Sequence, residues 1–241
     1  MLARFRLALA ASIDLLLPPA CLLCGQLLEA GLDTRYLCRS CLTAMPPMSQ
    51  AHCSCCAQPF PNTGSSHFCG TCLKRPPSFT IVRAAGIYQG SLKEAVHKLK
   101  YRNQLSLAKP LGQLLGSRAI AEANDFTPDR IIPVPLHPRR LTQRGYNQAL
   151  EVARPIARQL ALPLDTTLLQ RKRNTPQQQG LSAIERRSNL RNAFALTAEA
   201  TSLRILLVDD VMTTGETVRE CCRTLLTGGV EEVQVAVVGR A

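Results

Sequence analysis

The chain has 241 residues, enough for one large domain or two smaller ones. Hydrophobic residues make up 46% and charged residues 19%, which excludes a mainly disordered chain. No apolar run approaches the roughly 18–20 residues that cross a bilayer, which excludes a polytopic membrane protein. Lys plus Arg is 29 against 17 Asp plus Glu, a net charge of +12 that points to anionic partners: phosphates, nucleic acid or an acidic membrane surface.

Along the chain, Leu2, Phe5, Leu9, Ile13 and Leu16 recur at helical spacing, with Arg4 and Arg6 on the same stretch. An amphipathic helix against the next module is the expectation, and a signal or membrane-surface segment is the alternative. Nine of the eleven cysteines follow before residue 77. Eight form four C-x-x-C pairs: Cys21/Cys24, Cys38/Cys41, Cys53/Cys56 and Cys69/Cys72. A C-x-x-C turn aims two thiolates at one point, and two turns complete a closed tetrahedral four-sulfur site, so two structural zinc ions are expected. Pairing of the first two knuckles and of the last two is the expected arrangement; an interleaved one stays open. Cys55 competes with Cys56, but the x2 spacing favours Cys56. His52 and His67 read as loop residues. Thiolate ligands need a reducing compartment, which predicts a cytoplasmic protein.

Lys74 to Ser78 is a Pro-rich linker, so the chain divides into 1–77, the helix and zinc module, and 78–241. In the second part Phe79 to Tyr88 reads as a strand, and Leu92 to Leu99 and Leu107 to Ala123 as helices. Asp129 to Val134 reads as a strand, and Asn147 to Leu160 as a helix that Pro155 should kink or divide. Arg171 to Arg187 is polar and reads as a long loop of the kind that covers a site. Leu203 to Val208 is a strand, Thr217 to Leu226 a helix ended by Gly228-Gly229, and Val233 to Val238 a last strand. Strands alternating with helices make an α/β fold with a mainly parallel sheet. Cys221 and Cys222 read as buried helix residues.

The richest stretch is LLVDDVMTTGET, residues 206–217. An apolar strand ends in Asp209 and Asp210, a Thr/Gly loop follows, and a helix begins. Loop amides, the helix N-terminus and the hydroxyls of Thr213, Thr214 and Thr217 converge on an anion, and Gly215 allows close backbone approach. Carboxylates beside such a cradle suit a sugar phosphate, whose hydroxyls meet the acids. The loop matches neither a Walker motif nor G-x-G-x-x-G.

This stretch resembles the phosphoribosyl pyrophosphate (PRPP) signature of type I phosphoribosyltransferases. With CLLCG, HKLKYRN, PVPLHPRRLTQRGYNQA and RNTPQQQGLSAIERRSNLRNAF, nearly the whole chain is similar to the ComF family, competence-associated phosphoribosyltransferase-like proteins with an N-terminal double zinc ribbon. The resemblance implies that Asp209 and Asp210, the expected catalytic pair, hold the ribose 2′ and 3′ hydroxyls. It implies that Thr213, Thr214, Gly215 and Thr217 hold the 5′-phosphate, with Val211, Met212 and Glu216 on the same PRPP-binding segment. The turn with Pro135, Leu136 and His137 would bind pyrophosphate, with Arg139, Arg140 and Arg144 after it, and the loop after Arg171 would be the flap. It also implies Mg2+ with PRPP, a role in the uptake or processing of transforming DNA, and a DNA-translocating helicase as partner.

Between His137 and Arg191 eleven Arg or Lys face three acids, so most of the excess charge sits there. Arginines are suited to phosphate oxygens. His137 could move a proton, but a backbone-capping loop histidine is the simpler reading. Tyr146 could stack on a base or pack in the core. Lys98, Lys100 and Arg102 around Tyr101, with Arg171 and Arg173, are candidates for single-stranded nucleic acid. Three readings follow: a transferase acting on PRPP with a nitrogen acceptor, a protein that binds PRPP, a nucleotide or single-stranded DNA without turnover, or an interaction scaffold built on the zinc module.

Overall fold

A computed structural model describes residues 18–28, 36–61, 64–120, 126–174 and 190–241. The expected N-terminal helix and most of the 171–187 loop lie outside the described residues. Four parallel strands form the central sheet, in the order β1 (Val82–Ile87), β6 (Glu232–Arg240), β5 (Arg204–Met212) and β2 (Arg130–Pro133). Its central strands carry unbroken aliphatic runs, Ile205 to Val208 and Val235 to Val238, as expected for strands covered on both faces.

One face carries α3 (Gly90–Tyr101), α4 (Ala108–Leu115) and α6 (Gln148–Leu160). Leu99, Leu111, Val152 and Ile156 pack there against Leu206, Val208, Ala236 and Val238. The other face carries α7 (Glu216–Thr227) and a small antiparallel ribbon of β3 (Leu169–Arg171) and β4 (Phe194–Leu196). Cys221, Cys222 and Leu225 pack there against Leu207, Val235 and Val237, so the two cysteines are buried core residues. Each zinc knuckle pair joins one face. Cys21, Cys38 and Cys41, near the short helix α1 (Arg39–Thr43), belong to the α3 side. Cys53, Cys56 and Cys72, with Cys72 on α2 (Gly70–Lys74), belong to the α7 side.

Three elements differ from expectation. Helix α6 runs from Gln148 to Leu160 with Pro155 inside it, so the proline does not divide it. Its ring lies against Gly112 of α4, where a Cβ would come within 2.4 Å of Pro155 Cγ, and the buried stripe Val152, Ala153, Ile156 and Ala157 holds the helix together. Strand β5 continues through both acids to Met212, because Asp209, Val211 and Met212 keep register with Val237, Gly239 and Arg240. Arg139, Arg140 and Arg144 lie on a helix, α5 (Pro138–Arg144), rather than in an open loop.

Candidate functional site

The carboxyl ends of β2 and β5 open into a cavity of about 270 Å³. One wall is Asp209, Asp210 and Val211 through Val218. Gly215 caps α7 with φ +78, a left-handed conformation that an L side chain rarely adopts. The helix behind it is twelve residues long, and its first residues, Glu216, Thr217 and Val218, line the cavity, which puts the positive end of its dipole there. Pro135 and Leu136 form a second wall, with Arg140 and Arg144 from α5 beside them. Arg171, at the end of β3, closes a third side.

The electrostatics are polarised. Lys100 Nζ lies 2.8 Å from Asp210 Oδ1, and both side chains are largely buried. Burial alone would lower the Lys100 ammonium, but the carboxylates of Asp210 and Asp209 outweigh it and hold it above its ordinary value. Burial, then the neighbouring Asp210, pushes Asp209 up to about 7, against the opposing pull of Lys100, the Asp210 N–H and Arg171. Arg140 is lowered by burial and by Arg144, and Arg171 by burial and by Arg140. Three guanidiniums crowded about one opening make a site whose charge an anion relieves.

A raised Asp209 has a consequence for stability. The unfolded carboxyl titrates near 3.8 and the folded one near 7, so ionising it opposes folding, increasingly between those values and constantly above them. Asp209→Asn is expected to raise the melting temperature at pH 8 by several degrees, at about 2–4 °C for each kcal/mol that the ionised carboxylate costs. The advantage should shrink towards pH 4. Thermal melts of both proteins across pH 4–9 check the sign.

Other expected residues fall in different places. Lys100, read as a nucleic-acid contact, is an inward ion-pair partner. Lys98 donates to the Leu23 carbonyl at 2.7 Å and pairs with Glu94, which ties α3 to the first zinc module. Tyr146 takes the core reading: its hydroxyl donates to the Leu99 carbonyl. His137 caps α5, its Nδ1 accepting from the Arg139 amide at 3.2 Å, and neither residue lines the cavity. Glu216 lines the cavity, but its carboxylate holds Arg75 at 2.9 and 3.1 Å. Arg173 donates to the Arg191 carbonyl at 2.6 Å, across the base of the 171–187 loop. Tyr101 and Arg102 are exposed, and the Arg144 guanidinium sits 5.4 Å from the Tyr101 ring centre. The cavity also takes in Gln148, whose buried Nε2 has no hydrogen-bond partner among the described residues. In sequence, that residue reads only as the start of a helix.

The cysteines gather into two tetrads, Cys21, Cys24, Cys38, Cys41 and Cys53, Cys56, Cys69, Cys72, with sulfurs within 4.8 Å of one another in each. This is the tandem arrangement. Cys24 and Cys38 sulfurs lie 3.6 Å apart and Cys56 and Cys69 sulfurs 3.7 Å apart. Zn–S bonds of about 2.3 Å in a tetrahedron place sulfurs about 3.8 Å apart, so the tetrads fit structural zinc. Amides of Cys41, Cys56 and Cys69 donate to knuckle sulfurs. His52 and His67 bond backbone carbonyls of Ser49 and Ser65 instead, and Cys55 is buried beside its tetrad.

The family model for the phosphoribosyl transferase domain matches residues 147–240, and that for the double zinc ribbon domain matches residues 12–73. Competence protein F of Haemophilus influenzae is 39% identical over 72% of this chain and 78% of its own. DNA utilization protein YhgH of Salmonella typhimurium is 35% identical over 92% of this chain and 96% of its own. A purine phosphoribosyltransferase from Pyrococcus horikoshii aligns at 15% identity and a TM-score of 0.35, over 56% of this chain and 82% of that one. Among the described residues no helix is long and apolar enough to cross a membrane. With a double zinc ribbon ahead of a parallel sheet whose strand β5 carries paired acids before a Thr/Gly loop, the chain belongs to the ComF family of phosphoribosyltransferase-like competence proteins.

Proposed function

We propose that the chain binds Mg2+–PRPP in the β5–α7 cavity and acts in the uptake or processing of transforming DNA. The observation that carries this reading is the single opening that joins Asp209, Asp210 and the 212–217 loop on one side to Arg140, Arg144 and Arg171 on the others. Hydroxyls of the pentose would meet the acids, the 5′-phosphate the loop amides and threonines, and the pyrophosphate the arginines. Magnesium, when bound, neutralises pyrophosphate and keeps several waters. Asp209 is the carboxylate that this chain has left for it, since Asp210 is held by Lys100.

Calorimetric titration with Mg2+–PRPP tests the site. Asp209→Asn should weaken binding at least about tenfold, the worth of a hydrogen bond to a charged group. That variant is also expected to be the more stable protein at pH 8, so its loss of binding cannot be put down to unfolding. Pyrophosphate release across nitrogen acceptors separates a transferase from a binding protein.

A second reading rests on Tyr101. It is 54% exposed, beside Arg144, with Arg102 and Arg139 also exposed. An accessible ring among cations suits single-stranded DNA, and relatives named for DNA utilization and competence support it. Binding of an oligonucleotide that falls steeply with salt supports this reading; binding untouched by Tyr101→Ala with Arg144→Ala overturns it.

A further inference from the structure

We propose that the second cysteine tetrad, acting through Arg240, holds the 212–217 loop in its ligand-binding shape. Arg240 is then a positioning residue for the phosphorylated ligand. The inference rests on the PRPP reading of that loop.

Arg240 is the last residue of β6 and only 3% exposed. Its planar fork faces two ways. Nε donates to the Cys56 carbonyl at 2.8 Å, and Nη2 reaches Gln58 Oε1 at 2.6 Å and Cys56 Sγ at 3.9 Å. Nη1 donates to the carbonyls of Met212 at 3.0 Å and Thr213 at 2.6 Å. A trans peptide points its N–H opposite to its C=O. An arginine that draws the Met212 and Thr213 carbonyls towards the zinc knuckle therefore turns the amides of Thr213 and Thr214 away from it. Both residues line the cavity.

The far end of the loop is pinned in the same manner. Buried Arg219 approaches Cys72 Sγ at 3.8 Å and donates to the Arg75 carbonyl at 3.0 Å. The Arg75 side chain holds Glu216, and the Arg219 amide donates to the Gly215 carbonyl. So Cys56 is linked to the start of the loop and Cys72 to its end, each through an arginine on the sulfur side. Partners of metal-held thiolates orient and tune them, and two-site coupling is reciprocal. The first tetrad is built otherwise. Its backbone carbonyls at Leu22 and Leu23 receive Gln104 and Lys98, at and beyond the end of α3, and among the described residues no arginine joins it to the loop.

The test replaces zinc with cobalt in the full chain and follows the thiolate–cobalt absorption bands during titration with Mg2+–PRPP. The wild type should show a band shift that saturates with binding, on the constant background of the first tetrad. Arg240→Met should keep two metal ions per chain, lose the band shift and bind PRPP about tenfold more weakly. Arg240→Lys keeps the charge but not the fork, and should recover only part of the affinity. Saturating PRPP that leaves the wild-type bands unmoved overturns the coupling while the site reading stands, and so does wild-type affinity in Arg240→Met. A wild type that does not bind PRPP overturns both. The band shift is read in the unaltered protein, so a variant that fails to fold does not remove the test.

Discussion

Stripping zinc from the second tetrad is expected to melt the central sheet as well as the ribbon. Cys53, Cys55, Cys56 and Cys72 share one hydrophobic cluster with Val82, Leu207, Val235 and Val237, so the knuckles are part of the floor on which the sheet rests. A structural zinc site of four thiolates contributes an apparent ~10–16 kcal/mol, and a whole domain is stable by only about 5–15 kcal/mol. Loss of that metal should leave no folded sheet to report on. A strong chelator with far-UV circular dichroism and a colorimetric zinc count gives the answer: helix and strand signal should fall together with zinc. A chelated protein that has released both ions and keeps its full spectrum would sink the prediction. Cys72→Ala should do the same without chelator. Cys24→Ala, at an exposed ligand of the first tetrad, should cost less than the loss of buried Cys72.

The second large effect concerns the Lys100–Asp210 pair. Removing one member of a buried ion pair leaves the other without compensation, at about 3–5 kcal/mol. Asp210→Ala is therefore expected to cost roughly 3 kcal/mol at pH 8, the lower end because the cavity is open to water and Asp209 still faces Lys100. Replacing both, Asp210→Ala with Lys100→Met, should recover most of that loss, since a paired site turned apolar is close to neutral. Urea unfolding of the four proteins in a double-mutant cycle measures the coupling. A double variant as unstable as the sum of the two singles would show that the pair carries no interaction of its own. On the proposed PRPP reading, neither variant should bind that ligand, whatever its stability.

Much of this architecture is legible in the sequence because aliphatic strands and helical stripes announce themselves locally. LRILLV, the helix after Gly215 and the four C-x-x-C knuckles needed only periodicity or spacing. What was not legible depends on partners distant in the chain. Two acids end an apolar run, yet β5 continues through them because β6 supplies register partners up to Arg240. Helix α5 has no buried residue, so it shows no apolar stripe to read. Lys100 sits in a basic run and looks solvated; only the packing of α3 beside the end of β5 turns it inward. The roles of Arg219 and Arg240 were silent for the same reason, since their partners in the zinc module stand more than 140 residues away.

Side chains alternate along a strand, and β5 keeps its register through both acids. Asp210 accordingly leans to the layer of α3 and meets Lys100, while Asp209 leans to the layer of α7 and feels Arg171. The adjacent carboxylates are thus answerable to two separate halves of the interior. On the proposed PRPP reading, a substitution that shifts α7 by a fraction of an ångström should disturb one hydroxyl of the pentose and spare its neighbour. The two aspartates are non-equivalent reporters, and isotope-edited infrared bands of each would tell which half of the molecule has moved.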